Sequence, residues 1–129
     1  MTPKLTLRSG QRQKRNKDFV RTRKHGRTYR CPYFALFSTI HTEESGDRLW
    51  ARIGISASKR VGNAVARNRL KRSFRVLFRL RQHEIRQEAD IVISIRFPAN
   101  RATLSELEHR FEQAIQCNGL IHPERSNSP

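Results

Sequence analysis

Apolar and polar positions alternate with period two over three stretches of this chain and recur at helical spacing over two others, a pattern that predicts a mixed α and β domain. The first alternating stretch runs roughly from Tyr29 to Ile40. It places Phe34, Leu36 and Ile40 on one side and Tyr33, Ala35 and Phe37 on the other, with Pro32 as a point where the strand can split. A second strand is expected from Leu49 to about Ser58, with Leu49, Ala51, Ile53, Ile55 and Ala57 opposite Trp50, Arg52, Gly54, Ser56 and Ser58. A third is expected from Ala89 to Phe97, ended by Pro98, with Ile91, Ile93, Ile95 and Phe97 on one face.

Between the second and third strands, Ala66, Leu70, Phe74, Leu77 and Leu80 form an apolar row at helical spacing. Asn68, Lys71, Arg72, Arg75 and Arg79 fall on the opposite side of the same helix, which starts near Gly62–Asn63. Thr103 followed by Glu106 has the form of a capping box, and it opens a last helix to about Gln116 with Leu104, Leu107, Phe111 and Ile115 as its buried row. Upstream, Asn16 is a plausible cap for a short first helix carrying Phe19 and Val20, with Gly26 as its stop. The expected fold is an α+β single-domain sandwich in the order α-β-β-β-α-β-α. Residues 1–14 are expected to form a basic arm, 15–117 the domain and 118–129 a frayed tail.

Charge changes the picture more than length does. The 129 residues hold 27 Lys+Arg against 11 Asp+Glu, a formal net charge of +16. From Lys59 to Arg79 there are eight Lys and Arg and no acid, whereas a helix exposed merely to solvent normally intersperses acids for i,i+4 pairing. Cations packed this closely repel one another, and a polyanion relieves that repulsion through counterion release. The helix is therefore read as a nucleic-acid contact. An anionic membrane surface fits less well, because the helix must spend its apolar row on the domain's own core. No apolar run reaches the length of a membrane span or a secretory signal, so a soluble cytoplasmic protein is expected.

The sheet supplies a second candidate surface. If the aliphatic sides of the strands are buried, the other face carries Tyr33 and Phe37 beside Arg52, Ser56 and Arg96. Aromatics among arginines suit stacking on unpaired bases with their phosphates held nearby. Pattern alone leaves open the alternative that Phe37 is ordinary core under the first helix, against Phe19.

Catalytic chemistry is not legible in the chain. Asp18, Asp47 and Asp90 lie at element boundaries or in a turn, and Glu106, Glu108 and Glu112 read as the solvated face of the last helix, so no two-metal carboxylate site emerges. Cys31 and Cys117 match no metal or redox spacing, the histidines are scattered, and Gly54 and Gly62 stand outside any phosphate-loop context. A binder of RNA or DNA without its own catalytic centre is expected.

The run Lys59-Arg60-Val61-Gly62-Asn63-Ala64-Val65-Ala66-Arg67-Asn68-Arg69-Leu70-Lys71-Arg72 closely resembles the RNR signature of the bacterial ribonuclease P protein subunit. Its setting agrees over about residues 16–116: N-x-D-F before a K-H-G turn, an F-x-L-F strand, and an R-I-G-I-S-x-S-K strand ahead of the helix. The resemblance implies a small protein cofactor of a catalytic RNA that removes the 5′ leader from precursor tRNA, with Mg2+ held mainly by the RNA and no protein partner required. It implies RNA-subunit contacts from Lys59, Arg60, Arg67, Asn68, Arg69, Lys71 and Arg72. It also implies a cleft between the first helix and the open sheet face for the single-stranded leader. The matching positions there are Phe19, Ala35, Phe37, Arg52 and Ser56, with Lys71 and Arg75 at the edge. A left-handed βαβ crossover around the RNR helix is a further implication, one that general handedness statistics disfavour. Arg23 stands where relatives often carry a second aromatic, and Phe37 where some carry tyrosine, which shifts the expected leader recognition from stacking toward charge. The competing reading is a ribosomal or general RNA-binding protein with no role in cleavage.

Overall fold

A computed structural model describes residues 26–40 and 51–121 of the chain. The first alternating stretch is split at the bend that contains Pro32, which gives the three strands expected ahead of the basic helix. β1 (Arg27–Arg30) and β2 (Phe34–Ile40) form an antiparallel hairpin, with Arg30 opposite Ala35 and Arg27 opposite Ser38. Pro32 supplies no ladder donor, and the Cys31 N–H turns back to the Phe34 carbonyl at 3.0 Å to close the bend. β3 (Arg52–Ala57) and β4 (Ala89–Ile95) complete a four-stranded sheet in the order β1-β2-β4-β3. β4 runs antiparallel to β2 and parallel to β3. Helix α1 (Ala64–Arg81) joins the two parallel neighbours as a βαβ unit, and α2 (Leu104–Cys117) follows β4. The expected basic arm, the first helix with Asn16, Phe19 and Val20, the departure at Arg23, and Leu49 and Trp50 lie outside the described residues.

Both helices contribute to one core on a single face of the sheet. Phe34 and Leu36 of β2, Ile53 of β3 and Ile91, Ile93 and Ile95 of β4 meet Leu70, Phe74, Leu77 and Phe78 of α1 and Leu107, Phe111 and Ile115 of α2. The Phe34 and Phe74 rings meet edge to face, centroids 5.1 Å apart. Removing side chains of this size from water contributes about 1.5–3 kcal/mol each.

Three end positions depart from the periodicity. Leu80, expected in the core row, is 49% exposed, and Phe78 is buried in its place. The buried arc is centred on Leu70, Phe74 and Leu77. Phe78 lies about 40° beyond Phe74 on the helical wheel, whereas Leu80 lies about 60° off Leu77 on the far side. Phe97 is also exposed, because β4 ends at Ile95 and the chain turns into a 3-10 segment, Phe97–Arg101. Leu104 is exposed at the first position of α2, ahead of the turns that reach the core.

The first residues of the expected tail are part of the domain. Asn118 is buried and its Nδ2 donates to Ser38 Oγ at 3.0 Å and to the Arg27 carbonyl at 3.3 Å. Leu120 is fully buried and accepts from the Arg86 N–H at 2.8 Å, and Ile121 bridges to Ile85. Residues 118–121 thus belong to the domain, anchored by polar groups that alternation and helical periodicity do not register.

The helices are pinned by charge at one end. Arg81, the last residue of α1, meets Glu84 at 3.3 Å, Glu108 at 3.2 Å and Glu112 at 3.3 Å. Glu108 and Glu112 therefore serve a cross-helix contact as well as a solvated face. At the start of α2, Thr103 Oγ1 accepts from the Glu106 N–H at 3.1 Å, the cap read from the sequence. The Glu106 carboxylate accepts from Tyr33 Oη at 2.9 Å.

Candidate nucleic-acid interface

The basic helix is set by the turn before it. Val61 is buried, Gly62 adopts φ 155°, and the Asn63 side chain caps α1 by accepting from the Ala66 N–H at 2.9 Å. A Cβ on Gly62 would come within 3.0 Å of the Ala66 Cβ, so this position suits glycine both by conformation and by space. Asn100 Nδ2 donates to the Val61 carbonyl at 2.6 Å, tying the Lys59–Val61 turn to the segment after β4.

With its apolar row in the core, α1 turns its cations outward. Asn68, Arg69 and Arg72 are exposed, as are Lys59 and Arg60, while Arg67, Lys71, Arg75 and Arg79 are half-buried. Among the described residues, Lys59, Arg60, Arg67, Arg69, Lys71 and Arg72 form no ion pair, in contrast to Arg81. The first turn of α1 carries no acid. Its exposed backbone N–H groups and the positive end of the helix dipole therefore add to the side-chain charge. A bound phosphate offsets both.

On the face of the sheet away from the helices, β-pairing aligns three rows. Ala35, Ser94 and Ser56 form one, Phe37, Val92 and Gly54 the next, and Thr39, Asp90 and Arg52 the third. Ala35, Phe37, Ser56 and Arg52 therefore share one face, as alternation predicts. Tyr33 does not join them. It sits in the hairpin bend before β2 starts, packs against the main core and bonds to Glu106 on α2. That hydrogen bond is the first cause of a phenol pKa raised above its usual value. Phe19 lies outside the described residues.

Ala35, Phe37 and Val92 form a second buried cluster, with Phe37 8% exposed. Arg30 Cζ lies 5.9 Å from the Phe37 ring centroid. Arg52 is held in a fork by Asp90, Nε to Oδ1 at 2.9 Å and Nη2 to Oδ2 at 2.7 Å. Ser56 Oγ reaches the Ile93 carbonyl at 3.5 Å, and Arg96 is exposed just past β4. Sequence reasoning missed the orienting role of Asp90, although a carboxylate inside an otherwise aliphatic strand is a signal for a buried partner. It also missed Asn100, for which periodicity carries no signal. Among the described residues no three His, Cys, Asp or Glu side chains come together as metal ligands.

Residues 7–118 match the family model for ribonuclease P. The chain belongs to the ribonuclease P protein family. It is 34% identical over 117 residues to the ribonuclease P protein component of Shouchella clausii, a match covering 91% of this chain and 93% of the relative. The Bacillus pumilus ribonuclease P protein component is 33% identical over 112 residues, covering 84% and 91%. Among solved structures, a Staphylococcus aureus RNase P protein superimposes with a TM-score of 0.75 at 30% identity, over 87% of this chain and 98% of that one. The Thermotoga maritima RNase P protein does so at 0.67 and 25% identity, over 79% and 92%. The family's RNR run is thus carried on α1, with Arg67, Asn68 and Arg69 in its opening turns.

Proposed function

We propose that this chain is the protein subunit of ribonuclease P, binding the catalytic RNA through α1 and the 5′ leader of precursor tRNA on the open sheet face. The observation that carries the reading is the RNR run on a helix whose cations, Lys59 to Arg72, have no ion pair among the described residues, within a chain of this family. Lys59, Arg60, Arg67, Asn68, Arg69, Lys71 and Arg72 meet the phosphates of the catalytic RNA. Ala35, Phe37, Arg52 and Ser56, with Phe19, Lys71 and Arg75, take the leader.

The two surfaces act differently. The helix supplies delocalised positive charge, which sets affinity and its salt dependence. The sheet face supplies fixed shape: Asp90 orients the Arg52 guanidinium beside the path of the leader's backbone, and Phe37 with Arg30 offers an aromatic floor. Leader removal is hydrolytic, and Mg2+ bound in the holoenzyme would supply Lewis-acid chemistry for it. The described residues offer no clustered donor set for that ion, and in this proposal the RNA holds it. What the chain does is position the leader and screen the phosphates that the RNA must bring together.

The test is cleavage of precursor tRNA by a bacterial ribonuclease P RNA at low Mg2+, with and without this protein. Protein-dependent leader release supports the reading. RNA binding without any gain in cleavage favours a general RNA-binding protein instead.

A further inference from the structure

Phe97 is 52% exposed at the first residue of the 3-10 turn that follows β4. The turn beneath it is rigidly held. Ala99 is buried in the core, the Ala99 N–H donates to the Arg96 carbonyl at 3.0 Å, and Asn100 Nδ2 donates to the Phe97 carbonyl at 3.0 Å. The same Asn100 amide bonds the Val61 carbonyl, so this turn and the Lys59–Val61 turn are joined directly. Arg101 Cζ stands 5.9 Å from the Phe97 ring centroid. Arg96 and Arg101 are exposed, as are Lys59 and Arg60, and among the described residues none of the four forms an ion pair.

A large aromatic left in water loses hydrophobic stabilisation, and here Arg101 stands by the ring while Arg96, Lys59 and Arg60 lie on the same turn or on the turn bonded to it. An apolar protein partner would complement the ring but not the charge, and a free anion the charge but not the ring. An unpaired nucleotide complements both, its base stacking on the ring and its phosphates meeting the guanidinium and ammonium groups. We propose that the Phe97–Arg101 turn is a stacking platform for an unpaired base of the catalytic RNA, extending the α1 contact past the RNR run. The proposal rests on the reading that Lys59 and Arg60 face that RNA.

The test is equilibrium binding of the full-length protein to ribonuclease P RNA alone, without tRNA, for the parent and for Phe97→Ala, Phe97→Leu, Phe97→Trp and Arg101→Ala. Phe97→Ala and Phe97→Leu should each weaken binding about 5- to 10-fold, the lower end of what a stacked base contributes, with melting temperature and salt slope unchanged. Phe97→Trp should retain parent affinity. Arg101→Ala should reduce the salt slope by about one at most. Parent-level binding by Phe97→Leu overturns the platform, because an aliphatic side chain supplies apolar area without a stacking face. If Phe97→Ala also lowers the melting temperature, the Leu and Trp variants decide. A parent chain that binds and activates the RNA while Phe97→Ala and Phe97→Leu match it refutes this proposal alone. A parent that does not bind the RNA refutes the reading of α1 as well.

Discussion

Arg52 illustrates what a single residue must satisfy here. Its side chain is one-quarter exposed and forked onto Asp90, whose side chain is 2% exposed. Asp90→Ala would leave the arginine without that partner and a hole under the sheet face. The expected loss is about 2–3 kcal/mol of stability, below the 3–5 of a fully buried pair because Arg52 keeps part of its hydration. Urea unfolding measures it, and a change within 0.5 kcal/mol would contradict an orienting role. Phe37 is equally double in character. Its ring is core by burial, so Phe37→Ala should lower stability by about 3 kcal/mol. A contact with the leader should appear separately, as a larger loss of affinity for leader-bearing than for mature tRNA in the holoenzyme. Equal losses would make Phe37 core alone. Arg72, exposed and without an ion pair among the described residues, should act through charge: Arg72→Ala is expected to weaken RNA binding and flatten the log–log salt dependence by about one at most. An unchanged slope would mean that Arg72 touches no phosphate.

At the scale of elements, α1 shows how a helix is divided between folding and binding. One arc is buried, one end is pinned by Arg81 to acids of α2, and the beginning is clamped by Gly62, Asn63 and Asn100. Asn63→Ala should cost about 1 kcal/mol of stability through the lost cap. Gly62→Ala should cost more than 1 kcal/mol, since φ 155° and a 3.0 Å approach to Ala66 both oppose a Cβ. Thermal or urea unfolding of the two variants checks the order. Much of this was legible beforehand. Period-two alternation sorted Ala35, Phe37, Arg52 and Ser56 onto one face, and helical spacing picked Leu70, Phe74 and Leu77 as core. Residues at element ends were not legible. Whether Leu80 or Phe78 turns inward, and whether Phe97 continues a strand, depends on where the chain bends and on what packs beside it, and periodicity encodes neither. Tyr33 shows the same limit, because alternation does not extend through a bend.

Across the whole molecule, charge is segregated rather than balanced. The acids Glu84, Glu108 and Glu112 pair with Arg81 at the far end of α1, while its opening turns and the Lys59–Val61 turn carry cations that form no ion pair among the described residues. A net charge of +16 opposes compaction. Sulfate or phosphate should therefore raise the melting temperature more than chloride at matched ionic strength, because a bound anion stabilises the folded state by mass action. Identical melting temperatures would show that the cations are not focused into an anion site. The residues after α2 also matter at this scale: truncation after Cys117 removes Asn118 and Leu120 from the core and should destabilise the domain, as unfolding curves of the truncated and parent chains would show. The proposed role of this fold is to bring a catalytic RNA and a precursor tRNA together. Cleavage of precursor tRNA by a bacterial ribonuclease P RNA at low Mg2+ tests it most directly. Strong release of the 5′ leader is expected only when the protein is added, with Arg72→Ala weakening that gain. Tight RNA binding with cleavage unchanged by the protein would contradict it.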